Sequence, residues 1–243
     1  MNIIKLDAIN STNDYLKGLL QRQFVENFTI VTAENQTDGK GQMGSKWSVQ
    51  AGKNLTFSVL VKDLLLEVNH IFHLNVAVAV SIIEALSFLE IKELAIKWPN
   101  DILAGGKKIG GILIENSLKS DGEIFSIIGI GINVNQQNFE NLPKASSLSI
   151  LLKREINKEA VLISIVECLT RNVSLILNKN TDSLWEKYHS CLYKKGIPMP
   201  FENLKGNKFM GIISGVDQSG KLQLVLEDDF VESYEIKEIK MLY

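Results

Sequence analysis

"DGKGQMGSKW", residues Asp38–Trp47, spaces Gly39, Gly41 and Gly44 as GxGxxG, the spacing of a dinucleotide-binding turn. Such a turn needs a strand running into the glycines, a helix running out of them, and an acidic residue about 20 positions on to hold a ribose. "FTIVTAE" (Phe28–Glu34) reads as the incoming strand, and Asp63 follows a second apolar strand, "LTFSVLV" (Leu55–Val61). The helix is missing. "SKWSVQAGKN" (Ser45–Asn54) has no apolar residues at 3.6 spacing and carries another glycine, so the chain passes from strand to strand. Glycine lets a backbone approach an anion closely at positive φ, with successive N–H groups facing it. The stretch therefore predicts an anion-cradling loop that is not a Rossmann turn.

Outward from the loop, "NSTNDYLKGLL" (Asn10–Leu20) opens with capping residues before apolar positions at helical spacing, which puts Ser11, Thr12 and Asn13 at a helix start. "IFHLNVAVAVSIIEALSFL" (Ile71–Leu89) is apolar on nearly all sides and predicts a buried helix. "AIKW" and "DILAGGKKIGGILIEN" follow, the second a hairpin turning at Gly105 and Gly106, and "IFSIIGIGINVN" (Ile124–Asn135) predicts a central strand. Irregular residues 136–147 precede a helix over Asn157–Leu177 and a shorter one around Leu184–Tyr188. Strands followed by helices indicate α+β. Beyond "KKGIPMPF" only short strands are expected, "KFMGIISGV", "GKLQLVL" and "FVESYEIKEI", with a "DQSG" turn, as in a small β-barrel. The chain divides on this reading into a larger domain over 1–193 and a barrel over 194–243.

With 243 residues and 45% hydrophobic composition the chain can bury a full core. A net charge of -2 argues against broad attraction to nucleic acid or an anionic membrane surface. No signal-peptide pattern opens the sequence and no run reaches about 18 apolar residues, so a cytoplasmic protein without a membrane span is expected. Cys168 and Cys191 are too few for a disulfide framework. His70 and His73 could share a helical face, but no third ligand is spaced to join them in a metal site.

The order of motifs is more specific than any one of them: "STN" (11–13), "NQTDGKGQMGSKW" (35–47), "IKWPNDIL" (96–103), "KKIGGILIE" (107–115), "GIGINVN" (129–135), then the terminal barrel. This order resembles the biotin protein ligases from about residue 5 to the end, most specifically in "KWPND" followed by "KKIGGILIE". The resemblance implies a catalytic domain related to class II aminoacyl-tRNA synthetases with an SH3-like C-terminal barrel. It implies formation of biotinyl-5'-AMP from biotin and ATP with Mg²⁺, then transfer to a lysine of a biotin carboxyl carrier protein of a carboxylase.

The same resemblance assigns residues. Ser11, Thr12, Asn13, Gln36, Gly39, Lys40, Gly41, Gln42, Lys108 and Gly111 match biotin-binding positions; Lys40, Gln42, Trp47, Asn100, Lys108 and Asn133 match the nucleotide side. Lys108, Asn100 and Asp101 are the expected catalytic residues, with Asp101 a candidate Mg²⁺ ligand and Lys108 bridging carboxylate and phosphate. The chemistry suits them, since a buried ureido ring needs donors and acceptors on both sides and joining two anions needs nearby positive charge. Lys97 reads equally as a phosphate contact and a surface charge, and Glu115 reads as structural. Two departures stand out. The variable loop positions, often arginine in the family, are Lys40 and Gln42, and the arginines of the chain are Arg22, Arg154 and Arg171, so no bidentate clamp comes from the loop. The first strand begins at residue 2, leaving no place for an N-terminal winged helix, and no nucleic acid partner is expected. A homodimer through the sheet edges stays open. The alternatives are a lipoate or octanoate ligase or transferase, for which Cys168 on a helix is a poorly placed nucleophile, and a non-catalytic biotin-binding protein.

Overall fold

The computed structural model describes residues 2–62, 71–118, 124–140, 142–227 and 229–242. In chain order the larger unit contains β1 (Ile3–Ile9), α1 (Thr12–Arg22), β2 (Ile30–Gln36), β3 (Leu55–Val61), α2 (Phe72–Ser87), β4 (Leu94–Lys97), β5 (Asp101–Ala104), β6 (Lys107–Leu118), β7 (Ile124–Ile132), α3 (Leu148–Leu152), α4 (Lys158–Leu177) and α5 (Asp182–Ser190). A second sheet holds β8 (Pro198–Asn203), β9 (Lys208–Val216), β10 (Leu222–Val225), β11 (Val231–Tyr234) and β12 (Ile239–Met241). The first sheet has the order β1-β2-β3-β7-β6-β5-β4, with β1 and β2 parallel and the other pairs antiparallel. It is a mixed sheet with helices, the α+β class read from the sequence. Asp63 and His70 lie outside the described residues.

Alternation along the strands separates a core face from a site face. Phe57 and Val59 of β3, Ile112 of β6 and Ile128, Ile130 and Ile132 of β7 pack with α2 and α4 in the main core. The residues between them turn the other way: Ser58, Gly111, Leu113, Glu115, Gly129 and Gly131. On that face α1 covers one end of the sheet through a second cluster containing Leu16, Val31, Leu60 and Ile127. The other end is left open by glycines. That division is written in the sequence as isoleucines interleaved with glycine or polar residues in "GGILIE" and "GIGIN".

α2 is buried on nearly every side, as its composition predicts. α4 is long and apolar enough by composition to cross a bilayer, but Val161, Ile165, Leu169 and Val173 form one stripe buried in the protein core. The helix is capped by Asn157, whose side chain accepts from Ala160 N at 3.1 Å. Two features differ from the sequence reading. The C-terminal sheet has five strands, order β11-β10-β9-β8-β12, because "IPMPFEN" pairs on one side with the expected strand β9 and on the other with "EIKM". Short α3 follows the irregular residues 136–147, in a stretch to which the sequence reading assigned no element, capped by Ser147, whose hydroxyl accepts from Ile150 N.

Candidate active site

The open end of the sheet forms a cavity of about 260 Å³ whose lining includes Ser11, Thr12, Asn13, Gln36, Lys40, Gly41, Gln42, Trp47, Asn100, Asp101, Lys108 and Gly111. Residues up to 100 positions apart meet because α1, the loop after β2, the β4–β5 turn and β6 all end on one side of the sheet. The floor is glycine. A Cβ on Gly129 would lie 2.7 Å from Asn13 Oδ1, and one on Gly131 would lie 2.4 Å from the Trp47 indole, so the pocket exists only with hydrogen at both positions.

At the rear, α1 begins inside the protein. Ser11, Thr12 and Asn13 are 2%, 2% and 3% exposed. Ser11 caps the helix, its hydroxyl accepting from Asp14 N at 3.3 Å. Thr12 donates to Gln36 Oε1 from its backbone N–H at 2.8 Å, and its hydroxyl lies 3.0 Å from the same oxygen. Ser58, fully buried, lies 2.7 Å from Thr12 Oγ1 and 2.5 Å from Asn13 Oδ1. Asn13 in turn donates from Nδ2 to Glu115 Oε2 at 2.6 Å, and Lys17 Nζ is 2.5 Å from Glu115 Oε1.

Toward the mouth, charge replaces neutral hydrogen bonds. β4 and β5 form a tight hairpin whose turn is Trp98–Asn100, with a cis Trp98–Pro99 bond. Asn100 secures the turn to β6, its Nδ2 donating to Ile112 O at 2.8 Å and its O accepting from Ile112 N at 3.0 Å. Asp101 lies between two ammonium groups, Lys108 Nζ at 2.5 Å from Oδ1 and Lys97 Nζ at 3.1 Å from Oδ2. Lys97, which its place at a strand end left open, thus touches the site through Asp101 without lining the cavity. Trp98 ties the turn to the second sheet, its indole N–H donating to Gly220 O at 2.8 Å, and Ile236 from that sheet reaches the cavity wall.

The glycine loop folds over the cavity as a small hairpin. Gly41 N donates to Ser45 O at 2.7 Å and Trp47 N to Gly39 O at 2.8 Å, while Met43 and Gly44 turn the chain at φ 61° and 79°. This alters the reason for the glycines. Gly44 alone of the three uses positive φ; Gly39 is required because a Cβ would sit 2.3 Å from the backbone Trp47 O, while a Cβ on Gly41 would sit 2.4 Å from Ser45 Oγ and force that hydroxyl to turn away. Lys40 holds the loop to α1 through Asp14, Nζ to Oδ2 2.6 Å, and that hydrogen bond raises the lysine pKa above its ordinary value. Trp47 lies on the glycine floor with Lys108 Nζ 5.8 Å from its ring, and its buried Nε1 has no protein partner.

Two assigned residues are engaged by groups of the protein itself. Asn133 is 5% exposed and outside the cavity lining; its Nδ2 donates to Ser146 O at 3.0 Å, anchoring the segment beside Lys108. Asp101 is placed as a counter-ion for two lysines, and no group of three or more His, Cys, Asp or Glu comes together among the described residues. His73 binds Trp185, whose Nε1 donates to its Nδ1 at 2.7 Å.

The family model for the biotin/lipoate A/B protein ligases matches residues 6–135, over half of the chain. The chain belongs to this family. Among members, the bifunctional ligase/repressor BirA of Bacillus spizizenii is 31% identical over 242 residues, spanning 96% of this chain and 72% of the relative. The biotin--[acetyl-CoA-carboxylase] ligase of Mycobacterium tuberculosis is 28% identical over 198 residues, spanning 80% of this chain and 72% of the relative. The biotin protein ligase from Aquifex aeolicus, solved in complex with biotin and ATP, is similar with TM-score 0.82 at 26% identity, covering 99% of this chain and 98% of that one. The family's signature glycines and "KWPND" turn are here the floor, the lid and the charged mouth of one cavity.

Proposed function

We propose that the protein is an ATP-dependent biotin protein ligase of the cytoplasm, which makes biotinyl-5'-AMP and transfers biotin to a lysine of a biotin carboxyl carrier protein. The observation that carries this reading is Lys108, whose ammonium faces the cavity between a neutral, hydrogen-bonding rear wall and a lysine-rich mouth. The rear wall suits the uncharged ureido ring, so the carboxylate of the valeryl chain comes to Lys108. A carboxylate oxygen then attacks the α-phosphorus of ATP in line, and pyrophosphate leaves. Lys108 offsets the repulsion between the two anions and stabilises the charge that develops between them. Trp47, lying on the glycine floor, presents its ring to the adenylate, and Lys40, Gly41 and Gln42 close the loop over it. Mg²⁺ held by the phosphates of the nucleotide would lower their charge, with Asp101 the lining carboxylate that could join it.

In the second half-reaction the carrier amine attacks the acyl carbon of the mixed anhydride; the amide forms, the C–O bond to phosphate breaks and AMP leaves. The amine must lose a proton. Asp101, held by Lys97 and Lys108, is the carboxylate facing the cavity among the described lining residues and is the proposed acceptor. Cys168 lies on α4 and does not line the cavity, which leaves an acyl-thioester route of the octanoyl-transferase kind without a nucleophile there. Biotin-dependent exchange between ATP and labelled pyrophosphate is the test. Exchange with biotin and none with lipoate or octanoate is expected; lipoate-dependent exchange, or none with either, would reject the reading. Transfer is checked by the mass of a purified carrier domain.

A further inference from the structure

The rear wall contains a proton deficit. Four oxygens stand in a row, Gln36 Oε1, Thr12 Oγ1, Ser58 Oγ and Asn13 Oδ1, separated by 3.0, 2.7 and 2.5 Å. Three contacts of that length need three protons, but the two hydroxyls supply two. Neither end can turn to make up the shortage. Gln36 must present its oxygen, because the backbone N–H of Thr12 donates to it at 2.8 Å. Asn13 must present its oxygen to Ser58, because its Nδ2 is claimed by the Glu115 carboxylate, which accepts and cannot donate.

We infer that Glu115, backed by Lys17, is a positioning residue: by fixing the Asn13 amide it keeps this wall short of a proton and so selects a ring that donates N–H. The inference rests on the biotin ligase reading and deepens it, because a cyclic urea brings N–H groups beside its carbonyl. A ligand N–H directed at Thr12 or Asn13, both of which line the cavity, supplies what the wall lacks. The ring carbonyl needs the opposite partner. Gln36 Nε2 is available for it, because only the oxygen of that amide is used by Thr12. Glu115 touches no ligand in this account. It acts through Asn13, from the outer edge of the site face of β6, with Lys17 Nζ 2.5 Å from its other carboxylate oxygen.

Glu115→Gln tests the inference because it preserves shape and removes the constraint. A glutamine can donate to Asn13 Oδ1, after which Asn13 turns its amide nitrogen to Ser58 and completes the row internally. The probes are biotin and two analogues in which one or the other ureido N–H is replaced by a ring oxygen, measured by titration calorimetry on the full chain. The unmodified protein is expected to bind biotin at least about tenfold more tightly than the weaker-binding analogue, as expected when a buried polar wall loses a partner. Glu115→Gln is expected to bind biotin about tenfold more weakly, to discriminate among the three by less than about threefold, and to leave KM for ATP within about twofold. A merely structural role would not reduce the ratio between isosteric ligands. Unchanged discrimination in Glu115→Gln, or none in the unmodified protein, overturns the inference. Should Glu115→Gln not fold, Lys17→Met carries the test: a partial loss of discrimination supports it and full retention overturns it. An unmodified protein that binds biotin with this discrimination yet shows no biotin-dependent exchange ends the ligase reading and leaves the role of Glu115 standing.

Discussion

The two ends of the cavity are built by opposite means. The rear wall, Thr12, Asn13 and Ser58, is almost wholly buried, and each side chain is held by two or more partners within the protein. The lid, residues 39–47, is held by a few backbone bonds and one ion pair, Lys40–Asp14, whose side chains are 45% and 28% exposed. Rigidity is placed where a small neutral ring must be told from its analogues, and looseness where a nucleotide must enter and an acceptor must reach the adenylate. A rear wall in a low-dielectric interior is specific because an unmet group there is costly; a surface ion pair in water is easily opened.

The largest expected effect lies between the two ends. Lys108→Ala should reduce biotin-dependent pyrophosphate exchange about 10²–10³-fold, the range for removal of one preorganised donor at a developing anion. Its circular dichroism and melting curve should stay near those of the unmodified protein, because Lys108 is 36% exposed and lies outside the core. Near-normal exchange would show that charge at the mouth does not drive the chemistry.

A paired substitution sharpens the contrast. Gly129 and Gly131 are neighbours on the same face of β7, yet a Cβ on the first meets Asn13 and on the second meets Trp47. Gly129→Ala should destabilise the fold by about 1–3 kcal/mol, because the rear wall cannot yield without breaking buried hydrogen bonds. Gly131→Ala should instead displace Trp47 and the lid, costing less stability but raising protease cleavage within 39–47. Equal losses of stability from both would mean the lid is as rigid as the wall.

Breaking the latch should do less again. In a double-mutant cycle, Asp14→Ala and Lys40→Ala are expected to couple by less than about 1 kcal/mol, as for other exposed pairs, while either one makes the lid more susceptible to protease. A coupling of several kcal/mol would make the latch a structural element.

The smallest effect belongs to the seam between the two sheets. His189 Nε2 lies 3.1 Å from Val216 N, and burial holds its imidazole pKa below the ordinary value. A lowered folded-state pKa means that the unfolded chain takes up the proton first. Stability from this contact is therefore complete above pH of about 6.5 and declines as pH falls through the folded-state value. Melting temperatures of the unmodified protein and His189→Asn should differ most near neutrality and converge in acid; a constant difference would remove His189 from the acid response.

Much of this arrangement is legible in the sequence for a physical reason: local chemistry acts over short spans. The missing helix after Gly44, the capping residues before Leu16, the apolar surface of α2 and the isoleucine–glycine alternation of β6 and β7 are each set by periodicity or backbone freedom within about ten residues. They settle the class of fold and point to the stretches that build the cavity. What the linear order does not contain is which side chain faces which across 24 to 122 positions, as in Gln36 with Thr12, Glu115 with Asn13, or Trp98 with Gly220. Asn133 and Glu115 show the consequence. Both stand in motifs, but nothing local says that Asn133 donates to Ser146 O or that Glu115 accepts from the Asn13 amide at the rear wall. Only the tertiary structure could decide between them, because a polar side chain takes its role from the partners that packing brings within about 3 Å of it, and those partners come from other elements.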